Sequence, residues 1–400
     1  MLGEKYCILH IDFPDDQESK EFMEMTKQKK AKIAEKIKNS DFDFEGAILY
    51  VINFTDLKTD LVIISFLNAK IITDFWCPYA EIKGVIVLNK TKIGGCVNFN
   101  NLKIKGSIQL NGAKIGKDLI LDNAMVNGEI WLDNVDIKGK ISLRKTKIIG
   151  QGIFSKRIKI RERITVVDSK IICNIQLSDA TINEGLFSYN SQITGDVLLY
   201  FSNVCDITFD HTSIHGNVSF INTVINRYFH FIFTDITGLL NLRNTKFLKP
   251  AAQEEACRRA KLQAETSGNR EEEDYYFYRE MQARRKRKIW YKRYPEWLFL
   301  QSILRYGTSW TGIVVTWPLL IIIYAALFWV FKGILNSTTQ EPAIFCWEYL
   351  YFSIVTVTTL GYGDYQPLLG WLQILAGSEA IIGTFMWAAL IAVFARKYLR

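Results

Sequence analysis

Residues 356 to 367, Thr-Val-Thr-Thr-Leu-Gly-Tyr-Gly-Asp-Tyr-Gln-Pro, are the stretch whose residue types could do chemistry, and that chemistry is ligation by oxygen. Gly361 and Gly363 take backbone angles that a side chain forbids, which lets successive carbonyls turn toward one axis. Thr359 adds a hydroxyl oxygen at the inner end of such a column. Tyr362 carries a ring that must pack outward, where its hydroxyl can bond a surrounding wall and hold the column at fixed width.

Thr-Leu-Gly-Tyr-Gly-Asp, residues 359 to 364, resembles the selectivity filter of potassium channels. The likeness to two-span potassium channels covers about residues 310 to 400. It implies K+ as the permeant ion, bound at Thr359, Leu360, Gly361 and Tyr362, with Gly363 completing the filter and no organic cofactor. Thr358 and Thr359 stand as the family's paired threonines, and Leu360 occupies the usual Val position. The ligands are main-chain oxygens, so Leu should keep selectivity. Asp364 follows the filter as the family requires, and Tyr351-Phe352 stand where its pore helix has an aromatic pair. That helix turns its C-terminal dipole end toward the cavity, favouring a cation there. Val355 sits where some members carry a glutamate bonded to that aspartate, a departure that bears on slow inactivation and leaves ion preference alone. One chain offers one filter strand while the ring needs four, so the resemblance implies a homotetramer.

Two further residues follow the filter. Gly383, nineteen residues after Asp364, matches the family's gating hinge. Glycine costs a helix about 1 kcal/mol relative to Ala, which suits bending there; close helix packing is the other reading. Glu379 lies roughly 15 Å deep in the second apolar run at 1.5 Å per residue. An ionisable group facing lipid there costs about 3 kcal/mol or more, so it should face protein or water. It is expected to hydrogen-bond the pore helix and brace the filter.

The elements that must position these residues are legible. Thr311 to Phe331 gives an uncharged run long enough to span a bilayer, with Pro318 inside it predicting a kink. A second span runs from about Leu368 to Ala395 and ends in Arg396-Lys397-Tyr398-Leu399-Arg400. Between them lies an aromatic-rich helix candidate, Phe345 to Val357. Basic clusters flank both outer ends of this pair, so both termini are expected in the cytosol and the filter loop enters from outside. Neither span has a regular Arg series, which argues against intrinsic voltage sensing. Trp290 to Trp310 reads as an interfacial helix with Pro295 at its start. Arg284, Arg285, Lys286, Arg287 and Lys288 form a basic cluster that can face anionic lipid or simply fix topology.

From about 41 to 250 the chain repeats. Ile71, Ile82, Ile93, Ile104, Ile115, Val126, Ile137 and Ile148 fall at a spacing of eleven; the series resumes at Ile171, Ile182, Ile193 and Val204, slips by one, and continues with Ile214, Ile225, Ile236 and Phe247. Gly often stands two places after the marker, a small residue two places before, and an alternating apolar pair follows. Alternation with β-branched residues is strand period. Two units make a coil, so stacked coils give a β-helix of roughly eight coils, near 38 Å long at about 4.8 Å per coil. This is similar to the pentapeptide-repeat family, although the spacing alternates five and six. Gly152 to Arg163 breaks the pattern and is expected to be an extruded loop.

The fold class expected is therefore multidomain. Residues 1–40 form a helical cap and 41–250 a cytosolic β-helix of 11-residue half-repeats. Residues 251–293 form a helical hairpin linker with the basic cluster, and 294–400 an all-α two-span pore domain with a re-entrant pore helix and filter. Tyr275, Tyr276, Phe277 and Tyr278 predict one packed side on the second hairpin helix. Seven scattered cysteines with no Cys-x-x-Cys pair argue against a disulfide framework or zinc site. The first residues, Met-Leu-Gly-Glu-Lys, lack a signal pattern. His211 and His215 lie four apart with no Cys or Glu nearby and read as surface histidines. The net charge of +8 and a slightly basic repeat region exclude an acidic DNA mimic, and no nucleic-acid partner is expected. The expected function is passive potassium conduction, not catalysis. The β-helix would regulate, assemble or bind an unknown cytosolic ligand or protein. A membrane-anchored scaffold and a non-selective cation channel are the competing readings.

Overall fold

The computed structural model describes residues 7–60, 63–368 and 370–398, so the N-terminal Met-Leu-Gly-Glu-Lys and the terminal Leu399 and Arg400 lie outside the described residues. The chain divides into two compact units, Met1–Asn269 and Arg270–Arg400.

The first unit is a parallel β-solenoid of about 9 turns. A representative coil contributes four short strands, Lys70–Ile71, Phe75–Trp76, Glu81–Ile82 and Val85–Val87. Each pairs in parallel with its counterpart one coil on, as in Ile71 with Ile93 and Ile82 with Ile104. A corner residue in the left-handed region turns the chain three places before each marker, for example Tyr79, Lys90, Asn101 and Asn123. Asn tolerates that conformation best among residues with a side chain. The marker Ile residues and the alternating partners point inward, with Ile71, Ile82, Ile104, Leu110 and Phe99 all buried.

Three details hold the coils in register. The glycine column lets backbones touch: a Cβ on Gly106 would lie 2.4 Å from Gly84 O, and one on Gly128 would lie 2.4 Å from Gly106 O. Buried hydroxyls reach the coil beneath, Thr91 Oγ1 donating to Phe66 O (2.8 Å), Thr146 to Leu121 O (2.7 Å) and Thr223 to Leu199 O (2.9 Å). Each buried hydroxyl thereby finds an acceptor, on carbonyls of which Phe66 O and Leu121 O also take the Ala69 and Ala124 amides. On the outside, Asp74 and Asp118 accept from the next coil's Cys96 and Lys140 amides. Burial pushes the Cys77 thiol up to about 12 and that of Cys173 to about 11, so both are unreactive packing residues.

Gly152 to Arg163 is not an extruded loop. Strands Lys147–Lys156, Lys159–Ile160 and Arg163–Val167 carry the solenoid through it. One extra residue is absorbed as a bulge between Ile149 and Gly152, after which Ile137 still pairs with Ile160. The later slip is a one-residue shortening between Val204 and Asp206. The count of roughly eight coils was low because Leu49 and Thr59, which register with Ile71 and Ile82, carry no Ile marker.

Helix α1 (Lys20–Lys38) starts at the Ser19 cap and lies at the first coil, Phe22 against Tyr50 at 5.3 Å between ring centroids. Its Lys29 is buried, donating to Ile48 O at 2.7 Å and to Ile11 O. Helix α2 (Pro250–Thr266) closes the last coil. Ala252, Ala256 and Ala260 are buried beneath it, Arg259 donates to Phe231 O (2.9 Å), and Gln263 accepts from Leu240 N (2.7 Å) and donates to Ile236 O (3.2 Å).

The second unit is helical: α3 (Arg270–Lys286), α4 (Trp290–Pro295), α5 (Thr311–Val330), α6 (Cys346–Val357) and α7 (Trp371–Tyr398). The segment expected as one interfacial helix is broken: Pro295 ends α4, Glu296–Ile303 is π-helical, and Arg305 and Tyr306 take positive φ. Helix α5 runs unbroken through Pro318. Helices α5 and α7 are long and apolar enough to cross a membrane.

Candidate functional site

Helix α6 sits between the two spans and is begun by Glu348. Its Oε2 accepts from the Ile344 and Phe345 amides at 2.8 Å each, satisfying donors that a helix start leaves open. Tyr365 OH donates to the other oxygen of Glu348 at 2.9 Å. The short antiparallel pair Ile334–Asn336 and Tyr365–Pro367 ties the chain after the filter to the chain after α5. Glu348 was not singled out from sequence, although a Glu three places into an apolar helix is a capping signal.

Helix α6 packs on an apolar cluster. Phe352 meets Phe328 of α5 edge-on at 5.1 Å, beside Tyr349, Ile334, Leu372 and Ala376. Tyr351 faces the other way, toward the end of the filter. Its phenol is directed to the Asp364 side, and its ring lies 6.0 Å from that of Tyr365. Tyr351 therefore approaches Asp364 from one turn before the Val355 position.

Residues Thr359 to Asp364 follow α6 directly. Thr359, Gly361 and Gly363 have φ of 58°, 59° and 78°, whereas Leu360 and Tyr362 between them stay out of that region. Alternating hand turns successive peptide planes the same way, which sets adjacent carbonyls side by side along one edge. Thr359 accepts a conformation that costs a side-chain-bearing residue about 1 kcal/mol or more. Thr358 Oγ1 bonds back to Ile354 O at 2.6 Å, and Thr359 Oγ1 donates to Thr358 O at 2.7 Å. Leu360 and Tyr362 are exposed, and beyond the adjacent residues no atom of the described residues lies within 4 Å of a Cβ built on Gly361 or Gly363.

Glu379 is fully buried on α7. Ser353 of α6 donates to its Oε1, and Ser353 Oγ also lies 3.0 Å from Ile321 O on α5. Glu379 Oε2 has no hydrogen-bond partner among the described residues. Tyr324 of α5 and Ser378 of α7 make a second polar tie at 3.0 Å. At Gly383 a Cβ would fall 2.1 Å from Val357 O, so α7 presses its backbone onto the end of α6.

The basic cluster does not act as a single face. Arg285 is buried, its Nε donating to Gln301 Oε1 at 2.8 Å, so it is not presented to lipid. Arg284, Lys286, Arg287 and Lys288 are exposed, Lys288 pairing with Glu296 at 2.6 Å. Trp290, Tyr294 and Trp297 are exposed beside them. His211 of the solenoid bonds Asp210 at 2.8 Å, and no cluster able to hold a metal ion occurs among the described residues.

Residues 316–400 match the family model described as an ion channel. No curated protein and no solved structure matches the chain. The match supports an ion channel with two membrane spans, in a chain whose N-terminal part is a β-solenoid.

Proposed function

We propose that the chain is the subunit of a homotetrameric potassium-selective channel that conducts passively across the cell membrane, with its N-terminal solenoid and both termini in the cytosol. The observation that carries this reading is the alternating backbone hand at Thr359, Gly361 and Gly363. A K+ ion shed of water needs several oxygens at short, regular spacing, and such a strand supplies main-chain oxygens from Thr359, Leu360, Gly361 and Tyr362. One strand covers one side of an axis, so four copies complete the ring. Asp364 and Tyr351 support the filter at its outer end, Phe352 anchors α6, and Ser353 with Glu379 ties α6 to the second span. No catalytic step and no organic cofactor enter. The exposed Arg284, Lys286, Arg287 and Lys288 beside Trp290 and Trp297 suit an anionic lipid surface. The solenoid acts as the regulatory or assembly domain.

The test is reconstitution in liposomes with a potassium gradient, reading flux and the reversal potential against sodium. A reversal potential that follows K+, abolished with the flux by Gly361→Ala, supports the reading. Flux without discrimination makes the pore a non-selective cation channel. Absence of flux both in the full chain and after removal of residues 1–250 leaves a membrane-anchored scaffold.

A further inference from the structure

Arg396, at the end of α7, is held from several sides within the second unit. Its Nη2 donates to Asp274 Oδ1 of α3 at 2.9 Å, and its guanidinium lies 4.9 Å from the Phe277 ring centroid. Asp274 and Phe277 are three apart on α3 and so share a face. Gly307 lies beside the guanidinium, where a Cβ would come 3.7 Å from Arg396 Nη1. The Arg396 and Asp274 side chains are only 31% and 28% exposed. The neighbouring aromatics fix α3 as well: Tyr276 is buried and Tyr278 meets Tyr306 edge-on at 6.1 Å.

We infer that Asp274, Phe277 and Arg396 form a latch that fixes the C-terminal end of the second span to α3, and that opening this latch changes conduction. The inference rests on the channel reading above. Helix α7 is the span that follows the filter and presses on α6 at Gly383, so the position of its far end bears on the pore. Helix α3 is the element through which a change in the solenoid reaches that end. It follows α2 in the chain after Ser267-Gly268-Asn269, and α2 is seated on the last coil by Arg259 and Gln263. A cavity of about 450 Å³ beside the latch, lined also by Glu271, Thr308 and Lys397, gives the Arg396 side chain room to leave.

The latch responds to acid in a defined direction. Burial pushes the Asp274 carboxyl up from its ordinary value against the opposing pull of Arg396 and Lys397. The charged groups facing it are Arg270, Glu271 and Glu273 on its own helix and Arg396 and Lys397 on α7; Gly307 and Thr308 bring none. As pH falls, Asp274 is neutralised before an exposed aspartate would be, and Arg396 loses its charged partner.

The test uses the full chain in liposomes. Asp274→Asn and Arg396→Gln are each expected to change K+ flux in the same direction, by about two- to fivefold for a partly exposed pair. The charge swap Asp274→Arg with Arg396→Asp is expected to return flux toward the unaltered value. The K+/Na+ reversal potential stays constant throughout, and the acid response is lost in Asp274→Asn. Unchanged flux in both single variants overturns the latch, as does a swap whose effect exceeds that of either. A chain that carries no flux at all counts against the channel reading instead. In that case amide exchange over residues 388–398 decides the latch: faster in Asp274→Asn supports it, and unchanged refutes it.

Discussion

Ser353 on α6 donates a hydrogen bond to Glu379 on α7, and the same Ser353 oxygen lies 3.0 Å from Ile321 O on α5. One hydroxyl thus joins the two spans and the helix between them. Ser353→Ala removes it and leaves Glu379 without a partner in a buried site. A loss of about 1–3 kcal/mol is expected, read as a lowered melting temperature of the full chain. Glu379→Gln keeps an oxygen facing Ser353 and should lose less. Equal melting temperatures for Ser353→Ala and the unaltered chain would mean that this junction is not structural.

Gly383 separates two readings of one residue. A Cβ there would meet Val357 O at 2.1 Å, a backbone atom next to the filter that cannot step aside cheaply. Gly383→Ala is therefore expected to disturb selectivity as well as flux, because the end of α6 must move. A hinge role alone would alter flux and leave the reversal potential where it was.

Lys29 gives the solenoid a pH-dependent stability. Burial lowers its amine from 10.5 to about 8, opposed by Asp12. Between those values the unfolded chain binds more protons than the folded one, so this group makes stability rise with pH from about 8 to 10.5. Lys29→Met removes the donor to Ile48 O and Ile11 O together with the desolvated charge, so it should cost the fold more stability above pH 10.5 than below pH 8. It should also abolish that rise, which urea unfolding of the full chain across the window would measure.

The glycine column predicts a steep size dependence. Gly106→Ala places a methyl 2.4 Å from Gly84 O, so two coils must part. Overpacking of this kind costs about 1–3 kcal/mol. Lys105→Ala, one residue away on the outside, is expected to change unfolding by less than about 0.5 kcal/mol. Similar effects from both would show that the coils are not in contact at the column.

Much of this was readable from residues because the signals repeat or are spelled locally. The eleven-residue marker announces a β-solenoid, and two long apolar runs announce the two helices able to cross a membrane. What escaped was whatever shifts the period. One residue inserted after Ile149 moves the next marker to Ile160, so a continuous wall looks like a loop. Thr59 fills a marker position without being apolar, which hides half a coil at the start. Within the helical unit, Glu379 is conspicuous because a lone acid in an apolar run demands a partner. Arg285 in a basic run is not conspicuous, and only packing sets it apart by turning it onto Gln301. Asp274 and Arg396 are 122 residues apart with no periodic marker between them.

The helices α1 and α2 at the two ends of the solenoid have a consequence for solution behaviour. A parallel stack of coils is in principle endless, since each terminal coil offers the same row of amides and carbonyls that its neighbours use. Gln263 and Arg259 at one end, and Lys29 at the other, occupy main-chain atoms that another stack would otherwise recruit. The two helices therefore set the length of the solenoid and stop adjacent stacks from joining end to end into fibres.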